Sequence, residues 1–540
     1  MPQSGGAALI SVYDRTGIVA LARALAERGV PLYATGGTRA HLREHGVDAH
    51  DVGELTGYPA LFDGRVKTLH PNVFGGILKD RANPAHVAEA EAHHIPTIST
   101  VVANLYPFES TVADEGATLQ EAIEQIDIGG VSLLRAAAKN FDHVSVLSDP
   151  AQYDTFVAAL DRGGLDPGTR RRYATMAFER TAEYDSAIAR YLESGLVATE
   201  LPGSLALTIP IEQPLRYGEN PQDRAAFYLA REAQLPEQLG GKALSYNNLL
   251  DLDATLRLLV RARPPERIDV AGPRHAELVE APPASVPASP PKTLVRAAIV
   301  KHTVPCGVAE RPGAADAIRE ALAADPVSAY GGIIAVDRAL DLAAAEQLAG
   351  FFLEIVAAPD FDDDALERLR KKKNLRIMRY RSGAPEKIAA ELRVRSALGG
   401  ILAEDDDPQA APERWTVVSK RPPTDAEWRD LAFAWDVVRH VKSNGVVLAR
   451  DGVSRGICAG QTNRVSAVQI AAHRAHDHGR GAACASDGFF PFADGLNAAA
   501  DAGCTAVIAP QGSIRDAEVV AAADARGIAL VFSTYRWFLH

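Results

Sequence analysis

The chain has 540 residues, of which 47% are hydrophobic and 23% charged, with a formal net charge of -12 and a pI of about 5.7. One hydrophobic core does not extend over such a length, so we expect two to four domains. The acidic balance argues against a nucleic-acid-binding protein, which usually carries a basic stripe. A small anionic substrate is compatible with it, because such a substrate needs only a local cationic pocket.

The cysteines and the N-terminus predict a cytoplasmic protein. Four cysteines without a C-x-x-C pair are no disulfide framework. The first charged residue is Asp14, so the N-terminus lacks the basic region of a signal peptide. No uncharged apolar run reaches the ~20 residues that span a bilayer, and we expect no membrane partner.

Strands and helices alternate in the first part of the chain, which predicts a mostly parallel, doubly wound α/β sheet. We predict strands at AALISV (7–12), VPLYAT (30–35), STVVANLYPF (99–108) and HVSVLS (143–148), and helices at TGIVALARALAERG (16–29) and GTRAHLREHG (37–46). Sheets of this kind bind ligands beyond the carboxyl ends of their strands, so the residues after each strand are candidates for a site.

The last part repeats the alternation, with predicted strands at GAACAS (481–486), CTAVIA (504–509) and IALVFS (528–533). SGLVATELPGSLAL (194–207) reads as a link, which divides the chain into domains 1–198 and 199–540. Residues 263–292 contain eight prolines, and we expect them to form an exposed insertion with a mechanical role.

Two motifs in the first part suit a phosphate group. TGGT (35–38) follows a strand and opens a helix, where free N–H groups favour an anion, although a plain βα turn is the alternative. GRVKTLHP (64–71) adds Arg65, Lys67 and Thr68, which suit a phosphate or a developing oxyanion. A solvated basic turn is the other interpretation of this second motif.

Two further polar segments are ambiguous. IDIGGVSLLRAAAKN (126–140) has Asp127 before a glycine pair and Lys139 at its end, and by itself it predicts a capped helix with a polar end. SDGFFPFADG (486–495) carries three aromatic side chains that either form a wall beside Asp494 or belong to the core: Phe489, Phe490 and Phe492.

The apolar run LVRAAIV (294–300) ends in Lys301 and His302, at the mouth of a predicted buried strand. The pKa of histidine suits a base near neutrality, and an adjacent lysine can stabilise an oxyanion. A histidine in the core is the alternative, which the neighbouring lysine argues against. We therefore predict that this pair moves protons and stabilises charge.

A zinc site is the other interpretation of this region, and we predict no catalytic metal. His275 and Glu277, followed by Cys306, nearly match the zinc deaminase signature H-x-E…P-C-x-x-C. Ala309 stands where the second cysteine is required, which leaves two ligands, too few for zinc. HRAHDH (473–478) has no accompanying cysteine and fits a solvated helix end.

Motifs along the whole chain carry a family resemblance. The first part contains ISVYDRTG, ATGGT, LTGYP, GRVKTLHP, NLYPF, IDIGG and LLRAAAKN. The second contains LRYGENP, LSYNNLLDLDA, KHTVPCG, DPVSAYGG, KKKNLR, RPPTDAEWRDLAFAWDVVRHVKSN, GICAGQTNRV, SDGFFPF and GSIRD. From end to end the chain resembles the family of bifunctional purine biosynthesis enzymes, which join 5-aminoimidazole-4-carboxamide ribonucleotide (AICAR) formyltransferase to inosine monophosphate (IMP) cyclohydrolase.

The resemblance implies an architecture and partners. It implies an N-terminal, methylglyoxal-synthase-like cyclohydrolase domain and a C-terminal formyltransferase of two cytidine-deaminase-like α/β units. It also implies small-molecule substrates, 10-formyltetrahydrofolate as co-substrate, no catalytic metal, and a homodimer with the formyltransferase site between subunits. A structural monovalent cation is left open.

The resemblance also implies which residues act on the substrates. Formyl transfer is implied to use Lys301, His302 and Asn444, and ring closure to use Lys67, Tyr106, Asp127 and Lys139. The implied binding residues are Ser11, Arg15, Thr35, Gly36, Gly37, Thr38, Arg65, Thr68 and Asn104 in the first part, and Arg216, Tyr217, Phe489, Asp494 and Arg536 in the second. The chain departs from the family pattern at Arg15, Phe74, Gln222, Val304, Glu404, Thr534 and Trp537, which bears on substrate binding more than on the chemistry.

Two functions from other classes compete with this interpretation. One is a zinc-dependent nucleoside deaminase, against which Ala309 speaks. The other is a non-catalytic nucleotide sensor, against which the intact Lys67, Lys301 and His302 speak.

Overall fold

The computed structural model describes residues 6–59, 61–62, 65–114, 116–194, 201, 204–205, 207–231, 233–262, 265, 267–271, 278–279, 293–390, 392–405 and 412–540. The chain divides into two compact units, Met1–Glu212 with Tyr228–Gln234, and Gln213–Phe227 with Leu235–His540. Most of the link predicted at 194–207 lies outside the described residues. Among the described helices, none combines the length and the hydropathy that a bilayer crossing requires.

The first unit contains a parallel sheet covered by helices. Its strands are β1 (Ala7–Ser11), β2 (Leu32–Ala34), β3 (His50–Asp51), β4 (Ile98–Ala103) and β5 (Ser145–Leu147). Its helices are α1 (Ile18–Glu27), α2 (Gly36–Glu44), α3 (Val52–Thr56), α4 (Pro71–Leu78), α5 (Pro84–Ala92), α6 (Phe108–Val112), α7 (Leu119–Glu124), α8 (Gly129–Lys139), α9 (Tyr153–Leu160) and α10 (Pro167–Ser194).

The strands of this sheet lie in the order β3-β2-β1-β4-β5, and every pair is parallel. Successive strands are added on one side of β1 and then, from β4 onward, on the other side. This switch in strand order opens a crevice beyond the carboxyl ends of β1 and β4. The doubly wound prediction is confirmed here. The strand predicted at 99–108 is shorter, because it ends at Ala103 and Phe108 already begins α6.

The second unit contains one large mixed sheet. Its strands are β8 (Glu237–Gly240), β9 (Arg267–Ala271), β10 (Leu278–Val279), β11 (Val295–Lys301), β12 (Val304–Arg311), β13 (Ile333–Val336), β14 (Ile355–Ala358), β15 (Arg376–Arg379), β18 (Arg414–Val417), β19 (Val446–Arg450), β20 (Val453–Cys458), β21 (Ala483–Ser486), β22 (Ala506–Pro510) and β23 (Ala529–Ser533). Separate two-stranded sheets are formed by β6 (Ile211–Leu215) with β7 (Ala225–Tyr228), and by β16 (Arg393–Ala397) with β17 (Gly400–Glu404).

Helices cover both faces of the large sheet. They are α11 (Tyr246–Leu259), α12 (Ala314–Ala324), α13 (Pro326–Ala329), α14 (Leu342–Ala349), α15 (Asp363–Arg370), α16 (Ala384–Ala389), α17 (Asp425–Val438), α18 (Arg464–Ala475), α19 (Ala493–Asp501) and α20 (Asp516–Arg526). One core lies under α11 and α17 and extends across the whole sheet. Two smaller cores lie on the other face, one under α12, α14 and α15 and one under α18, α19 and α20.

The two halves of the large sheet repeat one topology. In the first half α11 precedes the hairpin β11–β12, and the parallel strands β13, β14 and β15 follow; in the second half α17, β19–β20 and then β21, β22 and β23 take the same places. Antiparallel pairing of Ala309 in β12 with Val453 in β20 joins the halves at the middle. Both hairpins carry a register shift at the equivalent place, at Ile299/Val300 and at Leu448/Ala449.

Two glycines occupy equivalent places in the repeats for the same steric reason. A Cβ added to Gly307 would lie 2.0 Å from the carbonyl oxygen of Ala321, and one added to Gly456 would lie 2.0 Å from that of Ala471. In each half, the helix that follows the hairpin thus packs directly on the strand backbone, which only glycine permits.

Part of the 263–292 segment, expected to be an exposed insertion, instead belongs to the large sheet. Strand β9 pairs in parallel with β18, with Ile268 opposite Trp415, and both side chains are buried. Strand β10 extends the sheet by pairing with β9. Residues 272–277 and 280–292 lie outside the described part of the chain.

A buried arginine links the repeats electrostatically. Arg296 on β11 is 1% exposed and forms ion pairs of 2.8 Å with Glu310 and 2.6 Å with Asp436. Burial alone would raise the pKa of Asp436, but the charge of Arg296 together with Arg439, His440 and the N–H of Ala262 outweighs this effect and lowers the pKa to about 2. Because the folded-state pKa lies below the ordinary 3.8, this carboxylate stabilises the fold above about pH 4 and loses that contribution as the pH falls towards 2.

Arg296→Ala should strongly destabilise the second unit, because it removes the buried cation that lies between Glu310 and Asp436, whose remaining ion pairs are with the more exposed Arg261 and Arg439. Breaking such a pair costs about 3–5 kcal/mol, which corresponds to a loss of roughly 5–10 °C in the thermal midpoint. The control is Arg368→Ala, which removes a partly exposed pair with Glu346 and should change the midpoint by no more than about 2 °C. Equal midpoints for the two variants in calorimetry would contradict the importance of the buried network.

Candidate active sites

The crevice of the parallel sheet collects most of the residues predicted in the first part. Ser11 ends β1, Thr35 follows β2 and Asn104 follows β4, so all three lie at the carboxyl edge. Ser11 is in register with Ala103, and its Oγ accepts a hydrogen bond of 3.2 Å from Thr35 Oγ1. The strand ends thus bring Ser11, Thr35 and Asn104 to one edge.

The N-terminus of α2 presents an anion-binding geometry. A Cβ on Gly36 would meet no atom within 4 Å, so the backbone is open there. At Gly37 a Cβ would lie 3.4 Å from Nη2 of Arg15, so this guanidinium lies beside the start of the helix. The first N–H groups of a helix have no partner within it, and together with a cation they suit a phosphate.

Thr38 and Asn104 have a different immediate role from the other implied binding residues. Thr38 Oγ1 accepts the N–H of Val12 and donates to the Val12 carbonyl, both at 3.1 Å. Asn104 Oδ1 accepts the N–H groups of Tyr13 at 2.6 Å and Asp14 at 3.0 Å, and its Nδ2 donates to the Asp14 carbonyl at 2.8 Å. Both side chains therefore anchor the loop that carries Arg15.

Asp127 is held at the start of α8 in a mostly buried position. Its Oδ1 accepts the N–H of Gly130 at 2.7 Å, and its own N–H donates to the hydroxyl of Tyr184 at 2.9 Å. A Cβ on Gly130 would lie 2.4 Å from Asp127 Oδ2, so this position requires glycine. Burial raises the pKa of Asp127, although backbone hydrogen bonds and the charge of Lys67 oppose the shift. A carboxyl group of raised pKa is suited to exchanging protons.

Three other predicted residues surround this carboxylate. Burial, and after it the charge of Asp127, raises the pKa of Tyr106, so its phenol stays protonated and can donate. Thr68 Oγ1 lies 3.2 Å from the place of a Cβ on Gly129, at the same helix start. Lys67 is near enough to affect the pKa of Asp127.

Arg65 and Lys139 have other neighbours in this chain. Arg65 is exposed and forms a salt bridge with Glu124 on α7. Lys139 is the last residue of α8, roughly 15 Å along the helix axis from Gly129. It lines a separate cavity of about 600 Å³, together with Phe74, Arg135, Arg171 and Phe178.

In the second unit, Lys301 and His302 belong to a hairpin. Lys301 ends β11 and pairs with Val304, the first residue of β12, which leaves a two-residue turn. His302 and Thr303 have φ of +54° and +60°, the left-handed values that a type I′ turn requires at both positions. Lys301, His302, Thr303 and Val304 are called the Lys-His turn below. The motif that follows, which includes Cys306, continues as a strand.

Contacts from neighbouring elements hold the Lys-His turn. The carboxylate of Asp251 on α11 accepts the N–H groups of His302 at 3.2 Å and Thr303 at 2.6 Å. Lys301 Nζ donates to the carbonyl of Tyr330 at 2.7 Å, whereas the imidazole of His302 is exposed. The turn therefore presents an exposed imidazole beside a lysine whose side chain is held by a carbonyl group.

The register of the sheet places Asn444 at the same edge as the Lys-His turn. Strands β12 and β20 are antiparallel, and Val446 at the start of β19 pairs with both Cys458 and Ser486. The start of β19 and the ends of β21, β22 and β23 therefore lie at the edge where β11 ends. Asn444 is fixed there by its N–H, which donates to the Gln461 carbonyl at 2.9 Å.

A buried carboxylate holds the loops of this edge together. Asp487 is fully buried, accepts a hydrogen bond of 2.6 Å from Ser443 Oγ and forms an ion pair with the buried Arg464. Its carbonyl accepts the N–H of Trp537 at 3.0 Å. Asp487 thus connects the segment that carries Asn444 to the segment that follows β23.

The predicted aromatic wall is only partly present. Phe489 and Phe492 are 38% and 49% exposed, and Asp494 lies exposed in the first turn of α19. Phe490 is 2% exposed and packs against Gly495, where a Cβ would lie 2.5 Å from the ring. The interpretation of Phe490 as a ligand platform is therefore wrong, and the core alternative holds for it.

Two predicted cations at the second site stack on neighbouring aromatic rings. Arg216 lies 4.8 Å above the ring of Tyr217, and Arg536 lies 4.8 Å above that of Phe538. The loop after Arg216 is connected to the start of α11, because the side chain of Asn247 donates to the Glu219 carbonyl at 3.3 Å. Stacking leaves the guanidinium edges available as donors.

Within the part of the chain that the structure describes, a single cluster brings three metal-ligand atoms within 4.8 Å of one another. It consists of His41, Glu44 and His45 on the surface of α2 and was not a sequence candidate. His275 and Glu277 lie outside the described residues. Burial raises the pKa of Cys306 to about 12, so this thiol is protonated at neutral pH.

The sequence interpretation missed Asp251 and Asp487. Both are acidic residues whose function depends on contacts with distant segments, which the hydrophobic pattern does not reveal. One signal was available for Asp251: the pair Asp251-Leu252 on α11 recurs as Asp430-Leu431 on α17, and an alignment of the two halves would have drawn attention to it.

Comparisons with known proteins agree along the whole chain. Residues 17–132 match the model of the MGS-like domain, and residues 137–474 match that of the AICARFT/IMPCHase bienzyme. The chain is 48% identical to the bifunctional purine biosynthesis protein PurH of Chloroflexus aurantiacus, with 99% of this chain and 98% of the relative covered. It is 44% and 46% identical to the proteins of the same name from Magnetococcus marinus and Synechococcus sp., with 99% of each chain covered.

A crystal structure titled ForH aligns with 35% of this chain and 100% of its own length, at 35% identity and a TM-score of 0.32. The family matches extend into both units and contain Thr35, Lys67, Asp127, Lys301, His302 and Asn444. The chain therefore belongs to the AICARFT/IMPCHase bienzyme family.

Proposed function

We propose that this chain catalyses two consecutive reactions, the last two steps of IMP synthesis. The second unit transfers the formyl group of 10-formyltetrahydrofolate to AICAR, and the first unit closes formyl-AICAR to IMP. The observation that carries the proposal is the Lys-His turn, which presents a free imidazole and a fixed ammonium at the same sheet edge as Asn444. The names of the relatives support it.

In formyl transfer, the exocyclic amine of AICAR attacks the formyl carbon, a new C–N bond forms, and the bond to the folate nitrogen breaks. The amine is conjugated with the carboxamide, so it is a weak nucleophile and must lose a proton as it attacks. His302 accepts this proton, directly or through the carboxamide. Lys301 and Asn444 stabilise the oxyanion of the tetrahedral intermediate and the departing nitrogen.

In ring closure, the carboxamide nitrogen attacks the formamide carbon, and water leaves. Lys67 stabilises the oxyanion that develops on this carbon. Asp127 exchanges protons, a role that fits its raised pKa, and Tyr106, whose raised pKa keeps the phenol protonated, assists as a hydrogen-bond donor. Arg15, Ser11 and the N–H groups at Gly36 and Gly37 bind the phosphate.

The finer architecture belongs to the same proposal. The repeated topology of the large sheet supports two cytidine-deaminase-like units in the second unit. In this proposal neither reaction requires a metal, because the side chains named above handle the protons and oxyanions. We also propose a cytoplasmic location, which the free thiols of all four cysteines support.

A homodimer completes the proposal, because Lys139 lies at the far end of α8 from Asp127. Lys139 acts in ring closure by entering the crevice of a second copy. The exposed cavity that it lines is where the copies would meet. Each ring-closure site then needs residues from two chains.

His302→Ala should lower the rate of formyl transfer by ~10²–10⁴-fold, the usual contribution of a positioned base. The matched control is Asp451→Ala, which also introduces alanine at the first left-handed position of a two-residue turn, in the hairpin β19–β20. Tetrahydrofolate release should fall in the first variant and stay near the unmodified rate in the second. A folded His302→Ala protein with an unmodified rate would show that this histidine is not the base.

Lys67→Ala and Lys139→Ala should each lose ring closure of supplied formyl-AICAR while formyl transfer continues. Hybrid dimers made by refolding the two variants together should regain roughly a quarter of the activity, because half of the dimers are hybrid and each contains one intact site. IMP formation is measured before and after mixing. If mixing restores nothing, Lys139 does not act across subunits; if Lys67→Ala stops tetrahydrofolate release, the reactions do not have separate sites.

A further inference from the structure

We propose that Asp251 is a positioning residue for formyl transfer, whose carboxylate holds the Lys-His turn in the conformation that presents Lys301 and His302. The inference rests on the proposed function of that turn. Asp251 belongs to α11, a helix that packs on the sheet beneath the turn, and its carboxylate accepts two successive N–H groups, those of His302 and Thr303.

The turn needs such an anchor because of its residue types. His302 and Thr303 both have left-handed φ values, which favour glycine and asparagine. Threonine is β-branched and is a conformational outlier there. Thr303 Oγ1 adds one local hydrogen bond, a donation of 2.7 Å to the His302 carbonyl. The carboxylate offsets the strain by accepting the two N–H groups that face it.

The second repeat contains a natural comparison. Its hairpin β19–β20 has Asp451 and Gly452 at the two left-handed positions, with φ of +55° and +66°. Asp430 on α17 accepts the N–H of Gly452 at 3.0 Å, as Asp251 does for the Lys-His turn. The anchoring aspartate is thus part of the repeated fold, and in the first repeat it supports a turn without glycine that carries chemistry.

The repeat also separates positioning from a general effect on the fold. Pairing of Ala309 with Val453 joins the hairpins antiparallel, so their turns lie at opposite edges of the sheet. Loss of Asp430 relaxes the turn at the edge opposite Asn444, whereas loss of Asp251 relaxes the turn at the same edge as Asn444. Only the second change should affect formyl transfer.

The test compares Asp251→Ala, Asp251→Asn and the control Asp430→Ala. Asp251→Ala should lower kcat for formyl transfer by about 10- to 100-fold with a smaller change in KM for AICAR, because the competent conformation of the turn becomes less populated. Asp251→Asn keeps one oxygen acceptor and should lose less. Asp430→Ala should keep its formyl transfer, and all three proteins should close the ring of supplied formyl-AICAR.

A second change distinguishes positioning from other roles of the carboxylate. Thr303→Gly added to Asp251→Ala places glycine where the opposite hairpin has Gly452, so it should restore much of the lost kcat. A folded Asp251→Ala protein with unmodified kcat would overturn the inference, as would an equal loss in Asp430→Ala or a loss that glycine does not restore. If His302→Ala itself keeps the full rate, the proposed function fails instead.

Discussion

Antiparallel pairing of β12 with β20 is the constraint on which the site proposed for formyl transfer depends. Because Ala309 pairs with Val453, the two hairpins point to opposite edges of one sheet. The three parallel strands after each hairpin run in the direction of its second strand. Strands β21, β22 and β23 therefore end at the edge of the Lys-His turn, and β13, β14 and β15 end at the opposite edge. One edge therefore receives a turn from the first repeat and loops from the second, and the candidate side chains lie there.

The first unit builds its site by a different physical route. Its parallel strands reverse order at β1, and the crevice is lined by helix N-termini and strand ends. Glycine at the start of α2 leaves room for an anion, and Gly130 leaves room for the carboxylate of Asp127. Burial then raises the pKa of that carboxyl group. Each unit combines open or strained backbone with a carboxylate, for which we propose proton transfer in the first unit and anchoring of the Lys-His turn in the second.

The sequence predicted much of this, and its failures have physical causes. Periodicity located β1, β4 and β21 because their buried residues are contiguous. It did not reveal that the segment after His302 is a strand, because Pro305 and Gly307 are turn formers that are tolerated there only in this hairpin. Strand β9 was hidden by surrounding prolines. Asp251 and Asp487 act through partners far away in the chain, which no local pattern records.

The division of chemistry between two sites in one chain is the central claim. Its most direct test is a steady-state assay of the unmodified protein with AICAR and 10-formyltetrahydrofolate, in which tetrahydrofolate and IMP are followed separately in the same sample. We expect both products in equal final amounts, with IMP appearing after tetrahydrofolate. Tetrahydrofolate without IMP would contradict the cyclohydrolase assignment of the first unit, and the absence of both products would contradict the function proposed for the chain.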